Sequence, residues 1–223
     1  MPVAPADARC DGVVLLHGIG VGSWTLKKLE RTLQRRGYAT LNLDYASRKK
    51  PLEALAEDIH APIAAFAEQC DGRTHFVAHS MGGLLTRVYL SRHRPSRLGR
   101  VVMLGTPNGG SEVADLLKDL SVYRAVFGPA GLQLTTAPAP VLAALPPPDY
   151  EVGIIAGCRT IAPIASAFVL PRPNDGKVSV ASSKLADMAD HVVVKTSHPG
   201  LLRHRVAIEQ TIAFLHDGRF RTS

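Results

Sequence analysis

Short apolar runs separated by amphipathic stretches dominate the pattern of hydrophobic and polar positions along the chain. Six runs are almost continuously apolar, as expected for strands whose two faces are both covered by helices. Between several of these runs, apolar residues recur at intervals of three and four, which is the period of a helix packed on one face. The predicted strands are Val13–Leu16, Thr40–Leu43, Thr74–Ala78, Val101–Leu104, Val152–Ala156 and Val192–Lys195.

The alternation of strand and helix predicts an α/β fold, a doubly wound and mostly parallel sheet of about six strands flanked by helices. A chain of 223 residues suits one domain with a sizeable core, so we assign residues 1–223 to a single domain. In such sheets ligands bind at the carboxyl ends of the strands. Helical spacing is seen in three sets of residues: Leu26, Leu29 and Leu33; Leu52, Leu55, Ile59, Ile63 and Phe66; Ile208, Thr211, Ile212 and Leu215.

Residues from about 112 to 150 interrupt this alternation. The stretch Tyr123–Asp149 is rich in proline, alanine and glycine, which predicts turns with one short helix, and we interpret the region as a short lid or cap insertion. A second irregular connection, Cys158–Asn174, has the length of a functional or mobile loop. The apolar side chains of the insertion are expected to form either an acyl pocket or a satellite core: Leu116, Leu117, Leu120, Val126, Phe127, Leu132, Leu134, Leu142 and Leu145.

Composition narrows the expected partners and compartment. The net charge is +7, but the basic residues are scattered and no aromatic residues alternate with them, so we expect no nucleic-acid partner. Three widely spaced cysteines argue against a disulfide framework and favour a reducing compartment. Met1–Asp7 lacks the pattern of a signal peptide, and no apolar stretch approaches the roughly 20 residues that span a bilayer. We therefore expect a cytoplasmic protein without stable membrane insertion, while transient contact with a lipid interface stays open.

The strongest chemical signal lies where the third predicted strand meets the next helix. The apolar run ends at Ser80, which stands between the small residues Ala78 and Gly82. A tight strand-to-helix turn of this kind raises one hydroxyl above the sheet and needs small residues two positions to either side. His79 and Gly82 are expected to support the serine within this turn. The alternative is a serine that caps the N-terminus of a buried helix.

Glycines directly after the first predicted strand indicate a second part of the site. An attacked carbonyl needs two donors aimed in advance at its oxygen. We predict that these oxyanion donors are the N–H groups of Ile19 and of Met81, which follows Ser80 at the positive end of a helix. His17 and Gly18 are expected to shape the loop. A plain glycine turn is the alternative, and the missing G-x-G-x-x-G spacing disfavours a dinucleotide site.

A serine nucleophile needs a general base, and the base needs an acid to orient it. Among nine histidines, His198 directly follows the last predicted strand, at the sheet end where Ser80 also lies, and we predict that it is the base. Asp175 follows the fifth strand and its loop, and we predict that it is the acid, although Asn-Asp-Gly is also an ordinary turn sequence. Asp44 ends the second strand and competes for this role, but it lies far upstream.

Together these motifs resemble the α/β-hydrolase superfamily, and within it the bacterial lipases and lipase-like serine esterases. The resemblance rests on the order serine, acid, histidine, the His-Gly turn, the small-His-Ser-Met-Gly-Gly turn, and Leu104–Ser111, which is similar to a Thr-Pro-x-x-Gly-Ser turn of such lipases. It extends from about Val13 to Leu215 and implies a nucleophile elbow, a catalytic triad and an oxyanion hole. The family fold normally has eight strands, so the first two are expected to be missing here.

We therefore expect a serine hydrolase that cleaves acyl or lipid esters through an acyl-enzyme intermediate. This chemistry needs neither a metal ion nor an organic cofactor, and its partner is a small-molecule or lipid ester substrate. The same side chains would serve a thioesterase, an amidase or an acyltransferase that excludes water. The alternative from another class is a non-catalytic ligand-binding protein on the same fold, whose serine would not react with a fluorophosphonate probe.

Overall fold

The computed structural model describes residues 10–160 and 170–221, and in this part of the chain six strands form one sheet. The strand order is β2-β1-β3-β4-β5-β6, and every neighbouring pair is parallel. The predicted α/β class with a parallel sheet is therefore confirmed. The strands are β1 (Gly12–Leu16), β2 (Ala39–Leu43), β3 (Thr74–His79), β4 (Leu98–Leu104), β5 (Val152–Gly157) and β6 (Asp190–Val194).

Two groups of helices cover the two faces of the sheet. Helices α1 and α9 pack on one face, and α2, α3 and α4 pack on the other. Two segments discussed above lie outside the described residues: Met1–Asp7, for which no signal peptide is predicted, and most of the Cys158–Asn174 connection. The helices are α1 (Lys27–Arg35), α2 (Leu52–Asp58), α3 (His60–Gln69), α4 (Met81–Arg92), α5 (Glu112–Leu117), α6 (Ser121–Leu132), α7 (Pro140–Ala143), α8 (Val180–Ser183) and α9 (Arg205–Asp217), with 3₁₀ turns at Ser23–Leu26 and Pro199–Leu202.

The central strands are apolar at every position because each face of the sheet has its own core. Side chains alternate between the faces of a strand. Accordingly, Val13 and Leu15 of β1 join the core under α1 and α9, whereas Val14 and Leu16 join the core under α2 and α4. All four side chains are fully buried, which explains why β1 lacks the alternating pattern of a sheet with one wet face.

The helical pattern from Leu52 to Phe66 is divided between two helices. Helix α2 ends at Asp58, and α3 begins at His60. Pro62 explains the break, because it has no N–H to donate and its ring would clash with the carbonyl four residues earlier, at Asp58. The apolar spacing identified the buried face correctly but could not show this interruption.

The insertion contains more helix than its composition predicted. In place of turns with one short helix, the stretch Tyr123–Asp149 contains most of α6 and all of α7, and α5 precedes it. The prolines and glycines do not prevent this, because Pro140 begins α7, where a missing N–H is harmless, and Gly128–Pro129 kinks α6. Gly128 has φ 60°, and a Cβ there would lie 1.7 Å from the carbonyl oxygen of Arg48, so only glycine fits the kink.

The nine apolar side chains of the insertion differ in their exposure. Five of them pack against the core beside α4, and four are between 40% and 62% exposed. In the described residues no helix is long and apolar enough to cross a membrane. The packed residues are Leu117, Phe127, Leu134, Leu142 and Leu145, and the exposed ones are Leu116, Leu120, Val126 and Leu132.

Candidate active site

Ser80 occupies a strained turn between β3 and α4. Its φ of 55° and ψ of −128° lie in a region that costs a non-glycine residue about 1–3 kcal/mol. Hydrogen bonds from three directions hold this backbone. The Ser80 N–H donates to the Leu104 carbonyl at 2.9 Å, while the Thr106 hydroxyl and the Gly83 N–H donate to the Ser80 carbonyl at 3.0 Å and 2.9 Å. Hydrogen bonds to β4, to the turn after it and to α4 therefore hold the backbone of the serine in place.

The start of α4 lies directly against the end of β1, and this contact requires a glycine. A Cβ on Gly82 would lie 2.5 Å from the Leu16 carbonyl oxygen and 2.6 Å from that of His17. On the other side, a Cβ on Gly18 would lie 3.2 Å from the Cβ of Ser80. The loop after β1 and the turn after β3 are therefore neighbours, at the point where the strand order reverses.

Asp175 and His198 form a buried pair at the same edge of the sheet. The His198 Nδ1 lies 2.8 Å from the Asp175 Oδ2, and both side chains are at least 94% buried. The other carboxylate oxygen accepts hydrogen bonds from the N–H groups of Lys177 and Val178 at 2.9 Å and 2.8 Å. In this arrangement the carboxylate accepts the Nδ1–H of His198, which leaves the lone pair of the imidazole on Nε2.

The Asp175–His198 pair rests on Gly105, the first residue after β4. Gly105 has φ 59°, and a Cβ there would lie 3.1 Å from the His198 Nδ1 and 3.2 Å from the Asp175 Oδ2. Because the preceding residue, Leu104, accepts the Ser80 N–H, one turn connects the serine to the pair. Sequence reasoning missed this role of Gly105, although a glycine directly after an apolar strand was the available signal.

Two backbone donors flank the serine turn. The His17 Nδ1 lies 2.8 Å from the Gly18 carbonyl oxygen, and the Gly18–Ile19 peptide is trans, so the Ile19 N–H points away from that carbonyl. Met81 begins α4, where an N–H has no partner within the helix. In residues 10–160 and 170–221 neither the Ile19 N–H nor the Met81 N–H meets an acceptor, so both are available to a ligand.

A comparison with protein families identifies the family of this chain. A family model described as "Alpha/beta hydrolase family" matches residues 13–210, which is most of the chain. The chain belongs to this family. No curated protein sequence matches it significantly. The resemblance seen in the sequence motifs is therefore confirmed at the level of the superfamily.

Solved structures similar to this chain include lipolytic enzymes. The mature form of the Bacillus licheniformis lipase BlEst2 is 18% identical, with 96% of each chain covered and a TM-score of 0.78. The phospholipase PlaB from Legionella pneumophila is 16% identical over 95% of this chain and 58% of its own, with a TM-score of 0.69. A structure from work on the metagenome-derived lipolytic enzymes LipS and LipT is 17% identical, with 93% of this chain and 94% of its own chain covered and a TM-score of 0.68. At these identities the likeness shows a shared fold.

The His17 side chain is held in place under the loop after β1. Its ring is fully buried and stacks on Tyr45 with 4.1 Å between centroids. The Tyr45 N–H donates to the His17 Nε2 at 3.3 Å, and the Tyr45 hydroxyl donates to the His17 carbonyl. Burial lowers the pKa of His17, against hydrogen bonds to Gly18 and Asp44 that raise it. A proton on Nδ1 fits the Gly18 contact, while Nε2 faces both the Tyr45 N–H and the Asp44 carboxylate.

Asp44, the competing acid candidate, lies beside His17 rather than beside His198. Its Oδ1 is 3.2 Å from the His17 Nε2, and its side chain is 72% exposed. The same oxygen accepts the Ser23 N–H at 3.0 Å. Of the two acid candidates, the structure therefore brings only Asp175 to His198.

His79 contacts His198 of the Asp175–His198 pair directly. Its Nε2 is 3.2 Å from the His198 carbonyl oxygen, and the two rings are 4.6 Å apart. Burial, followed by repulsion from His198, holds the pKa of His79 well below its ordinary value of 6.5. His79 is therefore a neutral donor that fixes the backbone of the residue carrying the imidazole. In the described residues no group of three or more His, Cys, Asp or Glu side chains is arranged to hold a metal ion.

Proposed function

We propose that this protein is a serine hydrolase of carboxylic esters, with acyl or lipid esters as the substrate class. The observation that carries the proposal is the buried Asp175–His198 pair, 2.8 Å apart, at the sheet edge where Ser80 occupies its strained turn. In this proposal the turn is a nucleophile elbow and the three residues are a catalytic triad. A histidine oriented by a carboxylate is the arrangement that activates a serine hydroxyl.

In the acylation step the Ser80 hydroxyl attacks the acyl carbon of the ester. As its oxygen forms the new bond, its proton passes to the Nε2 of His198, and the carbonyl electrons move onto the carbonyl oxygen. Asp175 remains ionised and stabilises the imidazolium through the Nδ1–H bond. When the tetrahedral intermediate collapses, His198 returns that proton to the departing alkoxide, which leaves as the alcohol.

The Ile19 and Met81 N–H groups are proposed to receive the negative charge of the tetrahedral intermediate. Both lack an acceptor in the described residues, and Met81 lies at the positive end of the twelve-residue helix α4. His17 orients the Ile19 donor, because its bond to the Gly18 carbonyl sets the plane of the shared peptide. In deacylation, a water molecule takes the place of the alcohol and His198 again accepts and returns the proton.

Two observations support lipid esters as substrates: the names of the similar solved structures and the exposed leucines of the insertion. The similar structures carry the names lipase, phospholipase and lipolytic enzyme. We propose that residues 1–223 form one domain and that α5–α7, at about 112–150, act as a short cap whose exposed leucines meet acyl chains. Three free thiols support a reducing, cytoplasmic location.

The test combines p-nitrophenyl esters from acetate to palmitate with a fluorophosphonate probe. Ser80→Ala and His198→Ala should each lower kcat by up to about 10⁶-fold and abolish labelling. Ser96→Ala, at an exposed serine, is the matched control and should behave as wild type. Near-wild-type turnover in the Ser80 or His198 variant would refute the triad. Labelling without ester turnover would instead favour a thioesterase, an amidase or an acyltransferase, and no labelling of the folded protein would favour a binding protein.

A further inference from the structure

A cleft of about 430 Å³ lies between the second half of α4 and the segment Leu145–Tyr150, which joins α7 to β5. Its walls include Leu90 and Arg94 on one side and Pro147 and Tyr150 on the other. The cleft is distinct from the Ser80 turn. Arg87, which also lines it, is seven positions beyond Ser80, which is about 10 Å further along the helix axis.

Arg87 is a half-buried cation that has no anionic partner among the described residues. Two other arginines at the cleft are paired, Arg92 with Glu57 at 3.1 Å and Arg94 with Asp149 at 2.6 Å. In residues 10–160 and 170–221, by contrast, no hydrogen bond or ion pair reaches the Arg87 guanidinium. Burial lowers the pKa of Arg87, which reflects the cost of removing a guanidinium and its five donors from water.

A second unused donor faces the same cleft. Burial raises the pKa of the Tyr150 hydroxyl to about 12, so this group keeps its proton at neutral pH. Tyr150 and Arg87 both line the cleft, and the Tyr150 ring lies 5.9 Å from the guanidinium carbon of Arg94. In the described part of the chain the Tyr150 hydroxyl has no hydrogen-bond partner. A guanidinium and a phenol therefore line one cleft, and among the described residues neither meets an acceptor.

We propose that this cleft binds an amphiphilic oxyanion, a carboxylate or a phosphate attached to an apolar chain. The planar fork of Arg87 matches two oxygens of such a group, and the Tyr150 hydroxyl donates to one of them. Leu90, Leu145 and Pro147 supply apolar walls for the chain. Asp149 also lines the cleft, but its carboxylate is committed to Arg94, so Arg87 keeps an uncompensated positive charge. The proposal does not depend on the catalytic role of Ser80.

The test is a titration of the ¹⁵N-labelled full chain with octanoate, octyl phosphate and octanol, followed by amide chemical shifts. We expect either anion to cause saturable shifts in residues 87–94 and in 145–150, whereas octanol should not. Arg87→Met should weaken this binding at least tenfold, and Tyr150→Phe should weaken it severalfold. Arg31→Met, at an exposed arginine of α1, is the matched control and should bind as wild type. The preferred anion distinguishes a carboxylate ligand from a phosphate ligand.

Thermal unfolding without ligand separates a binding role from a structural one. If Arg87 is an unpaired charge, Arg87→Met keeps the apolar stem, and its Tm should equal or exceed that of the wild type. A clear fall in Tm would show that Arg87 stabilises the fold and would overturn the proposal. The same conclusion would follow if no anion gave saturable shifts, if the shifts were confined to the surroundings of Ile19 and Met81, or if Arg87→Met bound with unchanged affinity.

Discussion

Replacing Gly105 by alanine should damage the site through a contact that can be separated from backbone strain. An added Cβ would lie 2.9 Å from the Leu201 Cδ1, 3.1 Å from the His198 Nδ1 and 3.2 Å from the Asp175 Oδ2, whereas ordinary contact begins at 3.4 Å. The side chains of His198 and Asp175 would have to move away by a few tenths of an ångström. Gly37→Ala is a matched control, because Gly37 also has a positive φ, 88°, but nothing lies within 4 Å of its added Cβ.

Both variants should lose similar stability, but only one should lose activity. A left-handed alanine costs about 1–2 kcal/mol, and each kcal/mol lowers the Tm of a chain of this size by about 2–4 °C. Since a misplacement of roughly 1 Å in a catalytic group costs about 100-fold in rate, the smaller retreat in Gly105→Ala should lower the rate of fluorophosphonate labelling about tenfold. Labelling of Gly37→Ala should match that of the wild type.

Equal labelling rates in the two variants, after correction for the folded fraction, would refute the proposed effect of this contact. The same conclusion would follow if Gly105→Ala labelled as fast as wild type while its Tm fell, because the Asp175–His198 pair would then tolerate the added methyl group. Calorimetry or circular dichroism melts supply the Tm values, and the labelling rates come from a time course with the probe in excess.

Three further predictions follow from the contacts around the serine. Gly82→Ala places a Cβ 2.5 Å from the Leu16 carbonyl, so its Tm should fall well below that of Gly37→Ala; a smaller loss in thermal melts would contradict the proposed contact. His17→Phe keeps a buried ring but removes the Nδ1 bond to the Gly18 carbonyl, so kcat should fall about tenfold with little change in KM; an unchanged kcat would refute its orienting role. Burial lowers the pKa of His79 below 6.5, so below that pH the unfolded chain binds a proton that the folded state excludes. Stability should be complete above pH 6.5 and should fall on acidification by up to about 1.4 kcal/mol per pH unit; urea unfolding at pH 7 and 5 should show a smaller loss in His79→Gln, and equal losses would contradict the prediction.

The central strands were predictable because both of their faces are buried. A continuously apolar run such as Val101–Leu104 has few alternatives inside an α/β pattern, and the structure extends it to Leu98 only by including half-buried and small positions. Strand β6 was harder to delimit, because it lies at the edge of the sheet and begins with Asp190 and His191. Apolar spacing cannot mark the start of a strand that begins with polar residues.

The candidate site was largely predictable from one geometric rule. Ser80 and His198 each directly follow a predicted strand, and the carboxyl ends of parallel strands meet at one edge of the sheet. Asp175 required more, because it follows a long connection and only its turn sequence singled it out. The structure adds the 2.8 Å contact that joins it to His198.

The role of Gly105 and the helices of the insertion depend on contacts that sequence spacing does not encode. Gly105 is constrained by side chains that lie 70 and 93 residues later in the chain, so its position after an apolar strand marks a turn but does not reveal which groups it contacts. In the insertion, Gly128 fits against the Arg48 carbonyl, and that long-range contact allows a kinked helix where composition alone predicts a turn.

The order of the site along the chain has a consequence for biosynthesis. The Ser80 turn is held by Leu104 and Thr106, whereas Asp175 and His198 come from the last quarter of the chain. Because synthesis proceeds from the N-terminus, a ribosome-bound chain would display Ser80 before its proposed proton acceptor, His198, has emerged. If the proposed triad acts on esters, a nascent chain would be inert toward them and would gain its reactivity only after β6 and the residues that follow it have joined the sheet.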